Sequence, residues 1–368
     1  LNRYIERAEN VARFVEVKLT LLKDNPVGVA QQWEPLIAVT GDRDVFFQRY
    51  DRATAERVLD FLTFDQKSPN SILSCVRAAR ENARSVRETI SSEMWEQVNA
   101  FYLQVEEAAQ AKDSRDSYAF YSEVKMASHR FAGVMDATLS WNESWQLGQL
   151  GRMLERADKT ARILDFKYFL LLPSAQEVGT PIDNLQWIAL LKSASAYEMY
   201  RKTEQIISPA GVAKFLILDA QFPRSIKFCL KWAEDALRQI AGVSASSSPL
   251  SSQRALGRLR AELEYITLDE IFQGGLHQFL DDFQLRLNTV GDCIYADFIA
   301  LPTEATEKTA GKASNRVASK AATNKAASKT TNKTTKEVAG SPIALGAQRQ
   351  SCPTIELPIL PTTTTASR

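Results

Sequence analysis

An all-α fold is predicted: two tandem, pseudo-repeated helical bundles packed together, followed by a disordered tail. Three observations predict it. Glycine is sparse, with twelve in the first 301 residues, and the strict apolar-polar alternation of half-buried strands is absent. Helix punctuation recurs along the chain. Three blocks of sequence also return in the same order about 150 residues later, the mark of a duplicated unit.

The first block sets 1–18 against 150–167. "RYIERAENVARF" answers "RMLERADKTARI", with eight identities in eighteen that include Arg3/Arg152, Glu6/Glu155, Arg7/Arg156 and Arg13/Arg162. In the second, "VLDFLTFDQKSPNSILSC" (58–75) lies on "VAKFLILDAQFPRSIKFC" (212–229), again with eight identities, among them Asp65/Asp219, Pro69/Pro223 and Cys75/Cys229. Trp33 and Trp187 share that offset of 154, and the only two histidines, His129 in "SHRF" and His277 in "LHQF", pair at 148. The expected organisation is therefore a first half at 1–139, a second at 140–301 and a tail at 302–368. "SWNESWQLGQ" leads into the second copy of the first block but has no counterpart before Leu1, so the chain is expected to start inside a longer sequence.

Element by element, the helix at the first block is expected to bury Tyr4, Ile5, Ala8, Ala12, Val15 and Leu19 on one stripe, with Arg3, Glu6, Arg7, Asn10 and Arg13 on the opposite one. "SPN" at 68–70 and "SPA" at 208–210 offer a capping Ser followed by Pro, whose missing N–H costs nothing in the first turn. "SSEMWE" at 91–96 offers another Ser cap with acids after it, favourable to the helix dipole. The long second-copy helix is expected from near Asn142 to Pro173, and "GVSASSSPLSS" at 242–252 reads as a loop. Trp33, Trp95, Trp141, Trp145, Trp187 and Trp232 are expected to pack the core.

Charge divides the chain. The tail carries ten basic and four acidic residues, leaving 35 basic and 40 acidic before it. With almost no branched aliphatic or aromatic side chains up to Lys336, the tail cannot bury enough surface to offset an ordering entropy of roughly 1–2 kcal/mol per residue. A body without surplus positive charge argues against nucleic acid as a partner. No 18-residue apolar run is present, and Cys75, Cys229, Cys293 and Cys352 show no CxxC, so no membrane span is expected and a cytoplasmic, reducing location is.

The chemistry must sit on the charged stripe. Adjacent Glu6 and Arg7 do not face one another on a helix; the pairs expected to meet are Arg3 with Glu6 and Glu9 with Arg13. The candidate polar cleft comprises Arg3, Glu6, Arg7, Arg13, Arg152, Glu155, Arg156 and Arg162, with His129 and His277. Phe14 and Val17 beside the stripe, with Ile163 and Phe166 in the second copy, suggest a covered face. Two readings stay open: buried inter-helix ion pairs, or a cleft in which Arg grips a carboxylate or phosphate while Glu serves as base or amine anchor. His277 and Asp281 have i, i+4 spacing, but Gly133 stands at that place after His129, so no metal site is expected. Cys75 and Cys229, among Ile, Leu and Phe, read as buried apolar residues. Nucleotide-binding and hydrolase motifs are absent, and no cofactor is expected.

These segments, together with "RENARSVRETISSEMWEQVN" and "ALGRLRAELEYITLDEIFQGGLHQFLDDF", resemble the bacterial alpha-E domain family, named for its ER motif. The resemblance spans 1–301 and puts the ER signature on Glu6, Arg7, Glu155 and Arg156. It implies a helical domain that occurs beside or fused to circularly permuted ATP-grasp proteins and transglutaminase-like proteases, in systems that make or modify peptides. The implied function is that of a binding or assembly component acting with those partners, with a peptide or amino acid as a possible ligand. The alternative is an amide-forming transferase or hydrolase with Glu6 or Glu155 as general base.

Overall fold

Side-chain caps decide where many of the helices begin. Ser91 accepts from the Met94 N–H, Ser208 from Gly211 with Pro209 in the first turn, and Ser71 and Ser225 from Ser74 and Phe228. Each satisfies a backbone donor that the helix cannot. At "SPN" the expected cap is displaced: Ser68 and Pro69 lie in the turn before the helix, and Ser71 is the cap, because its backbone is extended at ψ 153° and its hydroxyl reaches forward three residues. Ser71 matches Ser225, and the Ser225 hydroxyl also donates to the Asp219 carbonyl at 2.5 Å. Both serines are fully buried. Ser225→Ala is expected to lower stability by about 1–2 kcal/mol in urea denaturation, since the Phe228 N–H and the Asp219 carbonyl both lose their partner.

A computed structural model of the chain describes residues 1–24, 33–111, 118–170, 180–204, 206–242 and 248–300. Fifteen α-helices run through them: α1 (Asn2–Asp24), α2 (Glu34–Thr40), α3 (Arg43–Phe47), α4 (Ala55–Thr63), α5 (Ile72–Ser85), α6 (Ser92–Gln110), α7 (Tyr118–Thr138), α8 (Glu143–Leu170), α9 (Pro181–Ser193), α10 (Tyr197–Thr203), α11 (Pro209–Leu218), α12 (Ile226–Ala241), α13 (Ser251–Tyr265), α14 (Leu268–Gly274) and α15 (Leu276–Phe298). No strand occurs among the described residues, so the fold is all-α. Pro173 and the tail at 302–368 lie outside the described residues, as do residues 243–247 of the expected loop at 242–252, whose last two residues open α13. The expected boundary at 139/140 falls between α7 and α8.

Residues Leu1–Ile294 form one compact unit. A second begins at Tyr295, and its described residues carry the end of α15. Within the first unit, α1 packs on α5 and α7, α8 packs on α12, and α1 and α8 pack on each other. The short helices cross over: α2 packs on α8, and α9 on α1. Gly151 makes the α1/α8 approach possible, because a Cβ there would lie 3.1 Å from Arg3 Cγ.

The stripe of α1 expected to be apolar is the core face, with Ile5, Ala8, Ala12 and Val15 at 3 % exposure or less. Phe14 and Ile163 are also buried, so the charged face is covered as well. Phe46, Phe61, Phe101 and Phe131 fill the first part of the core, and Phe46 meets Phe61 edge-on at 5.1 Å. A ring buried in this way contributes about 1.5–3 kcal/mol. Trp33, Trp145 and Trp187 are buried, as expected, but Trp141 and Trp232 are not. Trp141 is 67 % exposed and stacks on Trp145 at 4.7 Å, outside the core, because it lies in the turn preceding α8.

Both α2 and α9 end in the same hydrogen-bonded turn. Gly41 and Ser195 donate to the carbonyls three residues back, and Asp42 and Ala196 to those five back. The turn requires a left-handed residue: Gly41 has φ +85°, and Ser195, at the matching position, has φ +52°. For Ser this costs about 1 kcal/mol. A Cβ at Gly41 would also lie 3.0 Å from Arg162 Nη1. Gly41→Ala is therefore expected to lose roughly 1–2 kcal/mol, read as a lower midpoint in thermal melts.

Candidate functional site

The ER motifs meet at the α1/α8 contact, and each acid is held by the arginine of the other copy. Glu6 accepts from Arg156 through Nε (2.9 Å) and Nη2 (2.7 Å), and Glu155 accepts from Arg7 through Nε (2.7 Å) and Nη2 (3.0 Å). These are reciprocal bidentate pairs, the geometry in which guanidinium binds carboxylate best. Glu6 and Glu155 are 2 % and 1 % exposed. The surroundings of the two segments are thus alike: both acids are sealed.

Further cations converge on the same acids. Arg3 Nε donates to Glu155 at 3.1 Å, and Lys159 stands 3.7 Å from it. The Arg3–Glu6 pair expected within α1 is not made, because Arg3 crosses to α8 instead. Arg224, just ahead of α12, donates Nη1 to Glu6 at 2.9 Å and Nη2 to Glu9. The expected Glu9–Arg13 pair is present, with Arg13 Nη2 at 2.6 Å. Glu9 also accepts from Ser128 at 2.6 Å, and His129 Nε2 lies 3.3 Å from it. Arg13 continues to the Ser195 hydroxyl, and Arg162 pairs with Asp158 at 2.9 Å. Asn70 accepts from Arg7 at 2.7 Å and donates to Asp42 at 2.6 Å.

The structure brings nine of the ten candidate residues to this seam: Arg3, Glu6, Arg7, Arg13, Arg152, Glu155, Arg156 and Arg162, with His129 on its rim at 52 % side-chain exposure. The remaining one, His277 of α15, has its Nδ1 2.5 Å from Asp165 of α8. Sequence reasoning missed Arg224, Asn70, Asp42, Asp158 and Lys159. A signal for the first two existed, since Asn70 and Arg224 are matched residues between identical Pro and Ser neighbours yet differ in charge.

Burial and pairing compete over each carboxylate. Burial by itself raises the pKa of Glu155, but Arg7, Lys159 and Arg3 outweigh it and hold the group well below the usual carboxylate range. For Glu6 burial is outweighed by Arg156 and Arg224, and for Glu9 by Arg224, His129 and Arg13. Asp165 goes the other way, because burial there exceeds the help from His277. Among the described residues, no three His, Cys, Asp or Glu side chains converge in a way that could hold a metal ion.

Cys75 and Cys229 lie behind the seam, fully buried, with Sγ donating to the Pro69 and Pro223 carbonyls at 3.9 and 3.6 Å. Burial pushes both thiols up to about 12. Iodoacetamide at pH 8, read by peptide mass spectrometry, is expected to modify the partly exposed Cys293 and to leave these two intact.

A family model described as a predicted alpha-helical domain with a conserved ER motif matches residues 1–299. The chain belongs to the alpha-E family. The alpha-E domain here is also similar to uncharacterized proteins of Mycobacterium bovis and Mycobacterium tuberculosis, 24 % identical over 330 residues that cover 82 % of this chain and 36 % of each relative. The chain thus spans about a third of the length of these curated relatives. No solved structure matches it. No helix of the described alpha-E residues is long and apolar enough to cross a membrane.

Proposed function

We propose that this alpha-E domain is a helical binding or assembly component that acts with an ATP-grasp ligase and a transglutaminase-like protease in a peptide-synthesis or peptide-modification system. The observation that carries the reading is the saturation of both ER glutamates. Each has a guanidinium bound across its two oxygens, is sealed from water and is held ionised below its ordinary range. A general base needs a pKa near the working pH and reach to a substrate proton, and these acids have neither. The motif instead clamps α1 to α8, leaving Arg3, Arg152, Arg162 and His129 at the accessible rim.

The partners are those implied by the alpha-E family, and the greater length of the curated relatives accords with a domain that works joined to further polypeptide. Duplication of an ancestral helical half accounts for the reciprocal pairing: the same acid and guanidinium at the same place in each copy meet across the contact. Titration of the purified chain against an ATP-grasp ligase of the same organism is expected to give a saturable complex at micromolar concentration, with altered amide-ligase turnover. Absence of both a complex and an effect on turnover rules the reading out.

A further inference from the structure

The reciprocity of the seam fails at one residue. Arg3 crosses to Glu155 on the opposite helix, so its counterpart, Arg152, has an equivalent acid in Glu6. Arg152 does not take it. Glu6 is already occupied by both donors of Arg156, by Arg224 Nη1 and by Asn10 Nδ2 at 3.2 Å. Arg224 is the competitor, and it stands where the first copy has the uncharged Asn70.

Displaced from Glu6, Arg152 donates only to the Gln149 amide oxygen, through Nη2 at 2.6 Å and Nε at 3.2 Å. Among the described residues no carboxylate lies within ion-pair distance of it. Gln149 is held in that orientation by its own NH2, which donates to Asp136 at 3.2 Å, and Asp136 also accepts from Trp145 Nε1 at 3.1 Å. Burial and then Arg156 act against the Arg152 charge, and the more distant Asp136, Glu6 and Glu9 favour it.

Glu6 and Glu9 are shared among Arg13, Arg156 and Arg224, while Asp136, the acid that most favours the Arg152 charge, is bonded to Gln149 and Trp145 and not to Arg152. A half-buried guanidinium lacking its acid is set to receive an oxyanion from outside, and its planar fork suits carboxylate or phosphate.

We infer that Arg152 is the receptor for an oxyanionic group, carboxylate or phosphate, of a ligand reaching the α1/α8 seam from solvent. This deepens the binding reading by naming the chemistry that the rim recognises. The test uses the full chain alone, so it can fail while partner capture succeeds, or the reverse.

Thermal unfolding is followed in chloride, inorganic phosphate and acetate at matched ionic strength, for the native chain, Arg152→Gln, Arg152→Lys and Arg3→Gln. Phosphate or acetate is expected to raise the native Tm by about 2–4 °C beyond any rise seen in Arg152→Gln, which subtracts the general effect of excluded salts. Which of the two anions acts tells phosphate from carboxylate. Arg152→Lys keeps part of the response. In chloride, Arg152→Gln is expected to melt no lower than the native chain, whereas Arg3→Gln melts lower because it removes a partner of Glu155. An equal anion response in native and Arg152→Gln chains overturns the inference, and so does a fall in the chloride Tm of Arg152→Gln as large as that of Arg3→Gln.

Discussion

Glu155→Ala is expected to lose about 3–5 kcal/mol of stability, because it strands Arg7 and takes from Arg3 its acid at a position sealed from water, while Lys159 keeps Asp158 at 3.1 Å. Glu6→Ala should cost a similar amount by stranding Arg156, while Arg224 keeps Glu9. Urea denaturation followed by circular dichroism measures both. The mechanism is the uncompensated charge, not the missing volume, and a second substitution separates the two. In Glu155→Met/Arg7→Leu the principal charge left behind is gone, and replacing a buried pair by apolar groups is often neutral, so much of the loss should be recovered. If the double variant is no more stable than Glu155→Ala, packing rather than charge holds the seam.

Acid should open the same seam. Glu6, Glu9, Glu155 and Asp158 are all held below their ordinary values, 4.5 for Glu and 3.8 for Asp, so the folded chain keeps them ionised where the unfolded chain binds protons. Their contribution to stability is therefore complete above about pH 4.5 and is lost as the pH falls toward their folded values. Asp165, whose pKa is raised, has the opposite sign: it contributes below its ordinary 3.8 and loses that contribution as the pH rises through its folded value. Four groups against one make the urea midpoint fall steeply below pH 4.5. A midpoint unchanged down to pH 3 contradicts this account.

The local features were legible in the sequence because they depend on residues a few positions apart. The apolar stripe of α1, the caps at Ser91 and Ser208, the Glu9–Arg13 pair and the burial of Cys75 and Cys229 all follow from helical spacing or immediate neighbours. Where two local solutions competed, the sequence did not choose. Both Ser68 and Ser71 can cap, and the decision rests on which residue takes the extended backbone. Trp141 differs from expectation for a related reason: an aromatic residue two before a helix carries no mark of which way the turn faces.

The seam itself joins positions about 150 residues apart, and no spacing rule reaches that far. Repetition of the ER doublet showed that its charges mattered; it did not show that each acid would be held by the other copy's arginine. Arg224 illustrates the limit most plainly. It lies in the turn before α12, and only the packing of α12 on α8 delivers it, almost buried, to Glu6 and Glu9.

By itself, then, the sequence determined that the chain is helical, where α6, α8 and α11 start, and which face of α1 is apolar, since backbone hydrogen bonding and side-chain periodicity act within a few turns. Tertiary structure alone decided that the acids would exchange arginines and that Arg152 would be left without an acid. A carboxylate in a space closed to water takes the guanidinium with the best reach and geometry, and that choice exists only once the helices are packed.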